Sequence, residues 1–133
     1  MRRHVNSLPD TNAIVRYLVK DEPNLFKRAK DFFDQVKGGS EKAIILESVI
    51  AECIYVLTKI YKVPKKKAAD SLIDILHYKG IINEDREELI AALNAFANSG
   101  LDIVDCILWA KSNSGMCRLF SFDEDLNRFV GKK

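Results

Sequence analysis

Sulfur ligands, histidines and long apolar runs are all scarce in this 133-residue chain, and each shortage argues against a class of function. The three cysteines, Cys53, Cys106 and Cys117, stand singly inside apolar stretches, with no C-x-x-C pair and no His at a zinc-ligand spacing. A disulfide framework or structural zinc is therefore not expected, and three buried, reduced thiols are. The only two histidines, His4 and His77, are isolated. No G-x-S-x-G elbow or phosphate-cradling glycine loop occurs, and no cysteine has an evident base partner, so serine, cysteine and P-loop chemistries find no support. The longest apolar runs, such as Cys106 to Ala110, fall far short of the roughly 20 residues that a bilayer crossing needs. No signal-peptide core follows the basic start Met1-Arg2-Arg3, so a cytoplasmic protein without a membrane partner is expected.

What the chain has is charge of both signs. Twenty-one Lys and Arg nearly cancel 19 Asp and Glu, leaving a net charge of +2. The basic residues cluster in "PKKK" (Pro64 to Lys67), "FKRAK" (Phe26 to Lys30) and the "GKK" tail, which permits a polyanionic partner and equally fits solvated helix faces. With 47% hydrophobic residues, the length suits one domain over 1–133.

Hydrophobic periodicity places the elements. An extended segment around His4 to Leu8 runs into "PDTN", where a helix from about Asn12 to Lys20 starts. Leu25, Ala29, Phe32, Phe33 and Val36 mark a second helix stopped at Gly38-Gly39. "KAIIL" reads as a short strand, and Val49 through Tyr61 as one long helix ended before Pro64. Another helix passes through Ala68, Leu72, Ile75 and Leu76. "GII" reads as a strand and "NEDREELIAALNAFANSG" as a helix with acids in its first turn. A helix in "GLDIVDCILWA", a strand "CRLFSF" and a short helix "DEDLNRFV" complete the chain. Strands alternating with helices predict an α/β sandwich with a largely parallel sheet.

Five acids resist a purely solvated role. Asp10 and Asp123 follow expected strands, where open α/β sheets place their ligands; each is equally well placed to cap the next helix. Glu52 lies beside the apolar stripe of Val49, Val56 and Ile60, and Lys59 and Lys62 are not both placed to pair with it. Asp102 and Asp105 share a face with Trp109, being three and seven residues apart. Asp102 can cap that helix, whereas Asp105 lies one turn further in among apolar neighbours. Carboxylates in a dry setting need protonation, an Arg or a divalent cation. Several of them converging suit Mg²⁺ or Mn²⁺, and such ions turn water into a nucleophile for phosphodiester cleavage.

Taken in order, "DTN" at Asp10, "ESVIAECIYVL" at Glu52, "GLDIVDCILWA" at Asp102 and Asp105, and "FSFDEDL" at Asp123 resemble the PIN-domain ribonucleases. More narrowly they resemble the VapC toxins of toxin–antitoxin pairs. The resemblance spans nearly the whole chain. It implies a PIN-like three-layer sandwich, a central mostly parallel sheet flanked by helices, with an acidic cleft for Mg²⁺ or Mn²⁺. It places catalytic, metal-holding carboxylates at Asp10, Glu52, Asp105 and Asp123, with Asp102 as a supporting ligand or cap. Asn12 and Ser121 fall on supporting polar positions around them. It further implies an RNA substrate, a cognate antitoxin protein and a homodimer. One departure is visible: "HVNSLPD" carries Asn6, Ser7 and Pro9 where the family's first strand is apolar. Pro9 cannot donate a ladder hydrogen bond, which predicts a strand that ends early and a displaced Asp10. The competing expectation is therefore an inactive PIN-like module that binds a partner protein or RNA.

Overall fold

The computed structural model describes residues 5–131. The His4 start of the first expected strand and the two lysines of the "GKK" tail lie outside them. Seven α-helices follow in order: α1 (Thr11–Val19), α2 (Pro23–Gly38), α3 (Glu47–Tyr55), α4 (Lys65–Leu76), α5 (Arg86–Ala97), α6 (Ile103–Asn113) and α7 (Glu124–Gly131). A π-helical turn, Val56–Ile60, continues α3. The expected long helix therefore changes pitch midway. The Thr58 hydroxyl donates to the Ile54 carbonyl at 2.7 Å, a back-bond that loosens helical geometry, and Tyr61 N–H reaches the Val56 carbonyl five residues back at 3.1 Å.

The helix boundaries follow local chemistry. Pro23 sits in the first turn of α2, where its missing N–H costs nothing. Gly39 ends α2 in the left-handed conformation at φ 90°, donating to the carbonyls of Gln35 and Val36, a geometry that glycine adopts without strain. Helices α1 and α6 open on aspartates whose carboxylates accept backbone N–H groups.

The expected sandwich with a central parallel sheet is not formed. Among the described residues there is no strand, and β pairing is limited to two isolated parallel bridges, Ser7 to Ala43 and Ala43 to Ile81. Ser7 exchanges hydrogen bonds with Lys42 and Ile44 at 2.9 and 3.0 Å, and Ala43 does so with Gly80 and Ile82 at 2.9 and 3.0 Å. Three extended segments thus lie side by side, each paired through one residue. The reasons are chemical. Pro9, buried, has no N–H to prolong the first pairing. After Ile81 the Asn83 side chain replaces a backbone partner, accepting from Ile45 N–H at 2.9 Å and donating to its carbonyl at 2.7 Å. The expected strand "CRLFSF" stays outside the core: Phe120 and Phe122 are 85% and 89% exposed and stack edge-on against each other at 5.3 Å.

One cluster of buried side chains joins the helices, with Ile14, Phe33, Ile45, Ile50, Leu72, Leu76, Leu89 and Leu93 among its most enclosed members. Cys53 and Cys106 are buried in it, while Cys117 is exposed, contrary to the expectation of three buried thiols. Burial pushes the Cys53 thiol up to about 12 and the Cys106 thiol up to about 11, so both stay protonated. No helix among the described residues is long and apolar enough to cross a membrane.

Gly80 is the tightest point of this arrangement. Its N–H donates to the Val36 carbonyl at 2.7 Å, and a Cβ there would stand 2.1 Å from the Glu41 carbonyl oxygen. Both obstacles are backbone, so Gly80→Ala should destabilise the fold by about 1–3 kcal/mol, as overpacking does. Urea unfolding would check this; an unchanged midpoint would show that the third extended segment is not held against α2.

Candidate functional site

Four of the five acids singled out in the sequence sit at helix starts, and Glu52 lies within α3. Asp10 caps α1 by accepting from Ala13 N–H at 2.9 Å. Asp102 caps α6, accepting from Asp105 N–H at 3.0 Å. Asp123 accepts from Leu126 N–H at 3.0 Å at the start of α7. In each case the bond engages one carboxylate oxygen, and the second has no hydrogen bond among the described residues. Capping and ligand roles are thus compatible: the helix N-terminus holds one oxygen and leaves the other free.

The structure brings these acids into two groups. In the first, Thr11 Oγ1 donates to Glu52 Oε1 at 2.5 Å, tying the start of α1 to α3. Asp10 and Glu52 both add negative charge beside Cys53, below them in the core. This pair lines an open cavity of about 510 Å³ together with Val56, Ile60 and Tyr61 from the π-helical turn and its end. In the second group, Asp105 is half-buried on the first turn of α6. Desolvation pushes its carboxyl above the ordinary range, and the neighbouring charges of Asp102 and Asp123 push it further the same way. Trp109, one turn on, meets Phe129 of α7 edge-on at 5.3 Å, so α6 and α7 are held together beneath the three aspartates.

Among the described residues no set of three His, Cys, Asp or Glu side chains converges closely enough to hold an ion. The donor chemistry nevertheless fits a hard cation. All five ligand candidates are carboxylates, and none takes part in any of the six ion pairs among the described residues. Among the described residues six acids elsewhere are paired with cations, while others, such as Asp31 and Asp74, are not. Glu47 and Asp85 share Lys111 at 3.5 and 3.1 Å, and Asp21 is paired with Arg16, which holds its carboxyl below the ordinary range. Oxygen donors left without a counter-cation are what Mg²⁺ or Mn²⁺ binding requires.

The supporting residues are clear. Asn12 Oδ1 accepts from Arg16 Nε at 3.2 Å. Ser121 Oγ accepts from Asp123 N–H at 3.0 Å, and its carbonyl accepts from Asn127 at 2.9 Å, which fixes the backbone ahead of α7. Three contributors escaped the sequence reading. Thr11 bridges to Glu52, and Arg16 donates to the Tyr61 hydroxyl at 3.0 Å, which itself donates to Asp21 at 3.1 Å. Arg16 was findable from its i+4 spacing to Asn12. Tyr61 was not, because its placement depends on the π-helical turn.

Comparison with known proteins gives one family: the PIN domain profile matches residues 7–132. No curated protein and no solved structure matches the chain.

The sign of the Asp105 effect can be tested. Its folded-state carboxyl binds a proton more tightly than the unfolded chain's, so the charged form opposes folding at neutral pH, and that cost is lost as pH falls through the raised folded value. The helix dipole favours a charge at this position by only about 0.3–1 kcal/mol, and the upward direction means that desolvation and the two like charges outweigh it. Asp105→Asn should therefore raise the melting temperature by a few degrees at pH 7, with the gain shrinking toward acid pH. A lower melting temperature at pH 7 would show that the acids do not repel.

Proposed function

Because the chain belongs to the PIN domain family, generally one of metal-dependent nucleases, we propose that it is a Mg²⁺- or Mn²⁺-dependent endoribonuclease. We further propose that it serves as the VapC-type toxin of a toxin–antitoxin pair. The observation that carries the reading is that Asp10, Asp102 and Asp123 each stand at a helix start with one carboxylate oxygen held by a backbone N–H and the other without a hydrogen bond among the described residues, with half-buried Asp105 beside Asp102 and Asp123.

In this reading Asp10, Glu52, Asp105 and Asp123 hold the cation, with Asp102 in support. When bound, such an ion makes water a competent nucleophile near neutral pH and offsets the charge that gathers on the phosphate. The chain's own residues supply position. Thr11 fixes the Glu52 carboxylate, the N-terminal N–H groups of α1, α6 and α7 fix three aspartates, and Ser121 fixes the backbone that presents Asp123. Arg28 lines a second cavity, of about 290 Å³, that shares Asp10, Asn12 and Arg16. It offers a cation for an RNA phosphate next to the acids. A homodimer and an antitoxin partner belong to the same proposal.

One observation favours a second reading, a PIN-like module that binds RNA or a partner protein without cutting: the absence of three converging ligands among the described residues. Cleavage separates the two. Purified protein with Mn²⁺ should cut single-stranded RNA and stop on chelation, and Asp10→Asn or Asp105→Asn should each slow cutting about 100-fold or more. Wild-type protein that binds RNA without cutting it would leave the module reading standing. Expression should arrest growth, and a co-expressed antitoxin gene should relieve it; harmless expression of an active nuclease would remove the toxin role alone.

A further inference from the structure

The cavity beside Asp10 and Glu52 has two unlike sides. Its lining joins the acids Asp10 and Glu52 to the largely apolar side chains of Val15, Val56, Ile60 and Tyr61. Ile60 is 61% exposed, an unusual position for a large aliphatic side chain at the edge of an acidic site. Ile60 is the last residue of the π-helical turn, whose i→i+5 bonding orients Ile60 and Tyr61 differently from a continued α-helix. Tyr61 is held through its hydroxyl, accepting from Arg16 at 3.0 Å and donating to Asp21 at 3.1 Å. On the polar side, Asn12 and Arg16 line the same space. An amide and a guanidinium there offer hydrogen-bonding groups of both kinds.

We propose that this cavity receives one unstacked nucleobase of single-stranded RNA, seated against Ile60 and Tyr61 while the adjoining phosphate lies toward the carboxylates. The inference rests on the nuclease reading and adds to it a subsite and a requirement for an extruded base. The occupant follows from the lining. An anion has nothing to gain against the apolar side chains of Val56 and Ile60, and a purely aliphatic group would leave the Asn12 amide N–H groups, which make no hydrogen bond among the described residues, without a partner. A base has flat apolar faces and a polar edge, the combination that single-stranded RNA sites recognise. The volume, about 510 Å³, lies within the range of small-molecule sites. A paired base stays inside its helix and cannot enter, so the proposal requires a single-stranded substrate.

The test uses a short single-stranded RNA and a series of the same RNA with one abasic residue moved through the positions around the cut. For the wild type, kcat/KM should fall about tenfold at one abasic position, the size of one base-stacking contact, and little elsewhere. Ile60→Trp, which fills the cavity, and Ile60→Ser, which removes its apolar wall, should both collapse that ratio toward one. Because Ile60 is largely exposed, neither variant takes packing from the core, and circular dichroism would check that both fold. Insensitivity to abasic residues at every position, or equal slowing of intact and abasic RNA by the Ile60 variants, would overturn the proposal. Binding of the same RNAs to Asp10→Asn protein, read by fluorescence anisotropy, separates the two claims. If nothing is cut but binding still weakens about tenfold for the abasic RNA, the base pocket stands and the nuclease reading falls. If RNA is cut but binding ignores the base, the pocket falls, and if RNA does not bind, both do.

Discussion

The arrangement of the site depends on the backbone of residues 42–44, which is hydrogen-bonded on both sides. Ala43 bonds to the Gly80 and Ile82 backbone, while its neighbours Lys42 and Ile44 bond to Ser7. That single rung fixes two chain segments just before they enter helices. Ser7 lies three residues before Asp10, and Ala43 lies four residues before α3 begins at Glu47. Polar backbone this deep must be paired, and Ala43 is fully buried, so the spacing between the two helix starts is set by main-chain geometry. Thr11 and Glu52 can meet across α1 and α3 because that spacing is fixed beneath them.

The helices were legible because their signals are local and redundant. Apolar residues recur at three and four, Pro23 and Gly39 mark the ends of α2, and Asp10 and Asp102 open α1 and α6. The sheet was misread because short apolar segments such as "KAIIL" and "GII" carry no information about how many rungs they will form. Pro9 gave the one usable warning, and it bore on the first segment alone. Nothing in the sequence announced that the Asn83 side chain would stand in for a strand partner at Ile45, since that bond joins residues 38 apart. "CRLFSF" alternates like a half-buried strand, yet both of its phenylalanines face solvent. The π-helical turn was equally invisible, because an apolar stripe tolerates one inserted residue without losing its pattern.

The same division holds at the site. Aspartates three residues before an amide they can accept are readable as caps, and the proposal that they are also ligands came from their order along the chain rather than from spacing. What spacing could not reveal was the grouping into a pair near α1 and a triplet near α6 and α7. That depends on how α3 and α6 pack, a property of the whole core. Arg16 and Tyr61 show the limit most clearly: a helix residue and the end of a π-helical turn, 45 residues apart, form one side of the cavity.

What sets Asp105 apart is its desolvation beside Asp102 and Asp123, rather than the lack of an ion pair among the described residues, which it shares with acids such as Asp31 and Asp74. Lysines and arginines are plentiful, and they have gone to Asp21, Asp34, Glu47, Asp70, Asp85 and Asp125. Most of these pairs are exposed and contribute little to stability, so stability alone does not select their placement. Leaving Asp102, Asp105 and Asp123 together without a cation goes against stability, because Asp105 is desolvated and repelled at once. A fold tolerates such an arrangement when its remaining interactions have margin and the charges do something else. Helix capping reduces the cost by giving Asp102 and Asp123 one satisfied oxygen each, and the Trp109–Phe129 contact ties α6 to α7 against the repulsion. The negative charge therefore stays concentrated where the helix starts aim it, and a basic chain with a net charge of +2 presents to its surroundings a local site of opposite sign.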